Sequence, residues 1–251
     1  MYGYVVCKRM WKKLYFRPIH LVVSFLQPIF WLTIFGFLFE DKFTFSEGNY
    51  LSYLLPGVCA MTVLQSSAQS GILYIKDIQT GFFGRYNFVQ QSKLSILFFK
   101  IFADYTRILF QILIILFIGW CLGISDIQFT FSGIGTLILS TFLFTVFYAS
   151  LSCFIAIRTK TSELMATFVH LFNLPIVFTS TALIPNKNLP DWLEWVASYN
   201  PLSHLSELLR EGVITASFES NVYGSSWIIL ICLSFLTFVP TYFYLRTIKY
   251  A

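Results

Sequence analysis

Lys100, Asp104 and Arg107 recur at spacings of four and three, so a helix stacks them on one face with Asp104 placed to pair with both bases. At mid-membrane depth such charges would mark a functional site. Ile108–Ser125 alone, however, supplies eighteen uncharged residues, enough for a short span. That favours an interfacial position for the triplet, as a structural ion ladder. No other set of side chains has catalytic spacing. The histidines at 20, 170 and 204 lie far apart, and neither His-Glu-x-x-His nor Gly-x-Ser-x-Gly occurs. There is no Gly-Lys dipeptide, so no phosphate-cradling loop can be built. Cys7, Cys59, Cys121, Cys153 and Cys232 stand singly, which predicts neither a disulfide framework nor a metal site. His170 could relay protons, but no carboxylate sits near it in its span, and a hydrogen-bonded packing role is the simpler expectation. What these residues can do is bind, not make bonds.

Two polar stretches carry binding chemistry. Tyr74–Lys93, YIKDIQTGFFGRYNFVQQSK, sets Lys76-Asp77 and Arg85 around Gly81-Phe82-Phe83-Gly84. Roughly twenty residues exceed what a plain connection between two spans needs. The stretch reads either as a short surface helix offered to a soluble partner or as an unpartnered surface loop. The second stretch, Pro185–Gly212, predicts two amphipathic helices broken at Asn200-Pro201, an N-cap followed by proline in the first turn. Trp192, Leu193, Trp195 and Val196 form one face of the first, with Asp191 and Glu194 opposite. In the second, Leu202, Leu205, Leu208 and Leu209 form the apolar stripe. His204, Glu207, Arg210 and Glu211 lie on the wet side, and Gly212 closes the helix. Together they predict a re-entrant or surface hairpin.

The elements that must position these residues are membrane helices. The chain has 251 residues, 57% hydrophobic and 12% charged, against about 25% charged in a soluble domain. Continuous apolar runs exclude a β-barrel and give one all-α polytopic domain with six predicted spans: 19–39, 51–73, 94–122, 131–157, 164–183 and 225–245. Gln27 in the first span, and Gln65 and Gln69 in the second, need polar surroundings and read as interhelical glue or as the lining of a path. Met1–Arg17 reads as an amphipathic interface helix, contacting membrane lipid, or as a basic topogenic tail. Lysine and arginine gather in this segment, in the 74–93 stretch, at Arg158 and Lys160, and in the tail, which places both termini in the cytoplasm. The formal charge of +5 is this asymmetry summed and predicts no nucleic-acid partner.

QPIFWLTIFG in the first span, YLLPGVCAM opening the second, KDIQTGFFGR in the polar stretch and LIPNKNLPDWLEWVASYNPLSHLSELLR before the last span resemble the permeases of type-2 ABC exporters. The resemblance covers nearly the whole chain. It is closest to the short drug, Nod-factor and polysaccharide export branch, which has organelle-encoded relatives in algal plastids. Where this chain has Gln90 the family usually has proline, and its Gly-Lys is Phe99-Lys100 here. The resemblance implies a half-transporter that pairs with itself or a close paralogue and moves a lipid-linked, glycan or drug-like substrate. A separate ABC ATPase would bind the ATP and magnesium, leaving this chain with no cofactor and no catalytic residue. Asp77, Gly81, Phe82, Phe83 and Arg85 would couple to that ATPase. Pro190, Trp192, Asn200, Pro201 and Arg210 would belong to an external hairpin capping the path. It implies a bacterial plasma membrane, or a plastid membrane for an organelle-encoded chain. An ion-coupled carrier, an intramembrane enzyme and an assembly factor are the competing classes.

Overall fold

The computed structural model describes the backbone of residues 18–39, 42, 49–79, 93–124, 126–127, 130–159, 161–214 and 223–247, with side chains described within 26–39, 42, 49–79, 97–124, 126–127, 130–159, 161–214 and 224–244. Helices dominate: α1 Pro18–Phe39, α2 Tyr50–Gln79, α3 Lys93–Cys121, α4 Phe131–Thr159, α5 Ser162–Phe178, α6 Asp191–Tyr199, α7 Pro201–Val213 and α8 Tyr223–Thr247, with a 3-10 turn at Asn186–Asn188. No strand is present among the described residues, only an isolated bridge between Ile127 and Ile214. The predicted interface helix at 1–17 lies outside the described residues.

By length and composition α2, α3, α4 and α8 can each cross a membrane, whereas 26–39 of α1 and all of α5 are shorter apolar segments. An apolar run in lipid satisfies its backbone internally, which is why each becomes a helix. α2 is the centre of the bundle. Of its membrane-length window 89% is buried, against 22% for α8 at the periphery. It packs on α1, α3, α4, α5 and α7, while α4 joins it to α8. Polar α2 tolerates this burial because its hydroxyls bond within the bundle: Thr62 Oγ1 donates to the Val58 carbonyl and Ser67 Oγ to that of Val63. Between helices, the Tyr105 hydroxyl donates to Ile138 O at 2.6 Å, Thr237 Oγ1 to Phe147 O at 3.1 Å and Thr241 Oγ1 to Ser150 O at 3.2 Å.

Three sequence boundaries move. α2 stays helical through Gln79, with Tyr74 and Ile75 buried, so the first residues of the polar stretch belong to the bundle. Tyr74 and Ile75 are apolar enough to continue the buried face. α5 stops at Phe178 instead of Leu183, where Thr179 N and Thr179 Oγ1 both bond the Pro175 carbonyl. α7 runs on to Val213, and Gly212 caps nothing. It lies against Gly133 of α4, where a Cβ on Gly133 would stand 1.9 Å from the Gly212 carbonyl oxygen.

Candidate functional site

Two of the polar groups in the bundle hold the charged residues singled out above, one around the turn after α5 and one between α2 and α3. After Phe178 the chain leaves the helix, and its backbone carbonyls need donors. Two tyrosines of α2 supply them: Tyr53 OH bonds Thr181 O at 2.7 Å and Tyr50 OH bonds Leu183 O at 2.8 Å. From α7, Arg210 Nη2 reaches Thr181 O at 2.6 Å and Ala182 O at 3.4 Å, and Nε reaches Tyr53 O at 3.2 Å. Its guanidinium carbon lies 3.7 Å from the Tyr53 ring centroid. The turn lies so close to α2 that a Cβ on Gly57 would stand 1.9 Å from the Ala182 carbonyl oxygen, so only glycine fits there.

Asn200 ties the hairpin to the same turn. Its Oδ1 caps α7 by accepting from Leu202 N at 2.9 Å, and Pro201 occupies the first turn as the sequence predicts. Its Nδ2 donates to Ile176 O at 2.8 Å and to Thr179 Oγ1 at 3.0 Å. Ser203 Oγ accepts from Thr181 N at 3.0 Å. Leu202, Leu205, Leu208 and Leu209 form the expected buried stripe. The wet side of α7 needs correction. Arg210 is 4% exposed and His204 1%, because the turn after α5 and the start of α8 cover them. His204 Nδ1 pairs with Ser226 Oγ at 2.9 Å, and burial holds its imidazole below the usual histidine range. Glu207 is half-buried, with its carboxyl raised by desolvation, and only Glu211 is exposed.

On α6 the predicted face divides. Trp192, Trp195 and Tyr199 are exposed, with Trp195 and Tyr199 ring centroids 5.3 Å apart, while Leu193 and Val196 are half-buried and Ala197 is buried against the bundle. Aliphatic side chains fill the seam, and the amphipathic rings are left outward with Pro190 and Asp191.

Between α2 and α3 lies the second group. Asp104 is fully buried and Lys100 is 4% exposed, and Lys100 Nζ pairs with Asp104 Oδ2 at 3.1 Å. Ser70 Oγ donates to the same oxygen at 2.6 Å, and Lys100 Nζ also donates to Ser70 O at 3.0 Å. Arg107 does not join Asp104 as the spacing suggests. Its Nη2 turns to Ser66 O at 3.2 Å, and Ser66 Oγ donates to Gln111 Oε1 at 2.8 Å. Spacing along α3 alone shows only its own charges, whereas the packed α2 supplies Arg107 with a backbone acceptor.

Of the coupling residues, Asp77 is half-buried near the end of α2, while Gly81, Phe82, Phe83 and Arg85 lie outside the described residues, as does Gln90. Gln65 is half-buried and Gln69 exposed, one turn apart on a mostly buried helix. Gln27 stands exposed on α1, with no hydrogen bond to another described residue. His170 is likewise exposed instead of packed, and Asn173 takes the buried position, accepting from Tyr148 OH at 2.8 Å.

Residues 3–214 match the family described as ABC-2 type transporter. The chain is 32% identical over 254 residues to the ycf38 transport permease of Cyanophora paradoxa, covering 94% of this chain and 86% of the relative. It is 29% identical to the ycf38 transport permease of Porphyra purpurea, over 88% of this chain and 77% of the other. A daunorubicin resistance ABC transporter permease protein of Streptomyces coeruleorubidus is 25% identical, over 77% and 68%.

Proposed function

Because this chain belongs to the ABC-2 type transporter family, we propose that it is the membrane-spanning subunit of an ATP-driven exporter whose ATPase is a separate protein. The family match across 3–214, on a chain built of long apolar helices, is the observation that carries this reading. Membership makes it a transport permease and not itself an enzyme. The rest is our inference.

In this reading α1 and α5 join the four long helices as spans. α5, about 25 Å long at 1.5 Å per residue, is extended across the bilayer by the turn that Arg210 holds. Six spans place both termini on the side of the basic loops, the cytoplasm, and put α6 and α7 outside. Asp77, Gly81, Phe82, Phe83 and Arg85 seat in the ATPase. Trp192 and Trp195 rest at the outer headgroup level, in keeping with their exposure. Gln65 and Gln69 line a path completed by a second copy or a paralogue, because an exposed amide on a membrane helix needs a polar neighbour. The substrate class is lipid-linked, glycan or hydrophobic drug-like. The membrane is a bacterial plasma membrane, or a plastid membrane for an organelle-encoded chain.

The test is capture of the ATPase by a tagged chain from its native membranes. The purified chain alone is expected to hydrolyse no ATP, and the captured complex to hydrolyse it. Phe82→Ala with Phe83→Ala should release the ATPase, since burying each ring contributes on the order of 1.5–3 kcal/mol. Asp77→Asn should cost less, because an ion pair at the solvated rim of a half-buried aspartate contributes roughly 0–1 kcal/mol. Turnover by the chain alone, or full retention of the ATPase by the double alanine variant, would count against this assignment.

A further inference from the structure

Arg158 occupies the last turn of α4 and is exposed. An arginine at such a position can turn back to bond the free carbonyls of its own helix end. This one stacks instead. Its guanidinium carbon lies 4.6 Å from the ring centroid of Tyr244 on α8 and 5.7 Å from that of Phe154 on α4. The two rings meet edge to face with centroids 5.4 Å apart. Among the described residues Arg158 makes no hydrogen bond and no ion pair, and the exposed Glu163, five positions on, does not pair with it. Stacking takes up the face of the planar fork and leaves its N–H edges free. The rings belong to two helices packed together, so the cation is held at the seam between α4 and α8. A guanidinium positioned in this way suits a phosphate, which accepts two parallel N–H bonds.

The surroundings indicate which phosphate. Ser152, six positions before Arg158, accepts from Gly71 N of α2 at 3.0 Å, and Lys76 lies in the last turn of α2. Both bases therefore stand at one end of the bundle. They close the apolar lengths of α2 and α4, the level at which a bilayer places its headgroups. On α8, Leu236, Val239 and Phe243 are exposed and recur at spacings of three and four, ending beside Tyr244. Only 22% of the membrane-length window of α8 is buried, so in a bilayer this stripe meets acyl chains. A free anion has no use for such a stripe, whereas a phospholipid has.

We propose that Arg158, stacked on Tyr244 and Phe154, binds the phosphate of an anionic phospholipid whose acyl chains lie along α8. The site requires that the chain lie in a bilayer and is independent of the ATPase and of the transported substrate.

The experiment counts bound lipid by native mass spectrometry on the purified chain in neutral detergent, titrated with phosphatidylglycerol and with phosphatidylcholine. Phosphatidylglycerol should be retained in preference, and Arg158→Gln should weaken its apparent affinity about fivefold or more. Arg158→Lys keeps the charge without the fork and should recover only part of the preference. Tyr244→Leu leaves the arginine but removes its seat, and should lower the preference as well. Lys76→Gln, at the same end of the bundle, should change it little. Each variant is read as the ratio of the two lipids in one preparation, so a general loss of stability does not imitate the result. Where Arg158→Gln fails to fold, Arg158→Lys and Tyr244→Leu decide the question. Equal retention of the two lipids, an unchanged ratio in Arg158→Gln or Tyr244→Leu, full recovery in Arg158→Lys, or an equal loss in Lys76→Gln overturns the site. Inorganic phosphate at the same concentration should not displace the lipid. Displacement would make Arg158 a general anion site and overturn the lipid assignment.

Discussion

Arg210 is buried, and among the described residues no carboxylate pairs with it at bonding distance. It is stabilised instead by three backbone carbonyls, the Ser206 hydroxyl and the face of Tyr53. A planar fork suits this, because its donors diverge toward acceptors on two different segments. Arg210→Met should therefore lower stability by on the order of 3 kcal/mol, the value of one or two charge-assisted bonds. Arg210→Lys should recover only part of that, since a single ammonium cannot reach Tyr53 O and Thr181 O together. Thermal unfolding in detergent, compared among the three proteins, checks this ordering, and equal midpoints for lysine and arginine would refute the fork argument. The sequence did not disclose this role. On a helical wheel Arg210 sits with Glu207 and Glu211, and a guanidinium ordinarily belongs in water. Its acceptors lie up to 157 positions away and become visible only once the chain is folded.

Among the elements, the hairpin was the most legible. The leucine period of α7 and the Asn200-Pro201 start both follow from local rules that tertiary contacts did not override. The wet face was misread because α7 is covered on a second side by α8, where His204 meets Ser226. That burial has a pH consequence. With its folded-state affinity for a proton depressed below the ordinary value near 6.5, His204 makes the unfolded chain the better proton acceptor at acid pH. Its contribution to stability is complete above that value and falls as pH drops through 6.5 and below. The unfolding midpoint should decrease more between pH 8 and pH 5 for the native chain than for His204→Gln, and identical slopes would show that His204 does not titrate on unfolding. The helices were legible because continuous apolar runs dictate them, but the end of α5 was not. The residues after Phe178 are apolar enough to continue a span, and the break at Thr179 depends on donors from α2 and α7.

For the whole molecule, the basic loops predict which ends face the cytoplasm. The structure supplies exposed positions for the test, Asn188 before α6 and Gln79 at the end of α2. In a background without native cysteines, Asn188→Cys should react with a membrane-impermeant reagent from outside and Gln79→Cys should not, and the reverse pattern would invert the proposed topology. The bundle also has an order of completion that follows from the turn after α5. Tyr50 and Tyr53 precede that turn in the chain, whereas Arg210 follows Thr181 by 29 positions. At about 5–20 residues per second, a ribosome delivers the guanidinium seconds after the carbonyls it must satisfy. On the proposed topology, α5 and the turn until then lack the donors of Arg210 for the Thr181 and Ala182 carbonyls. A nascent chain ending before Arg210 therefore leaves the Ala182 carbonyl without its Arg210 donor, and the arrival of α7 supplies it.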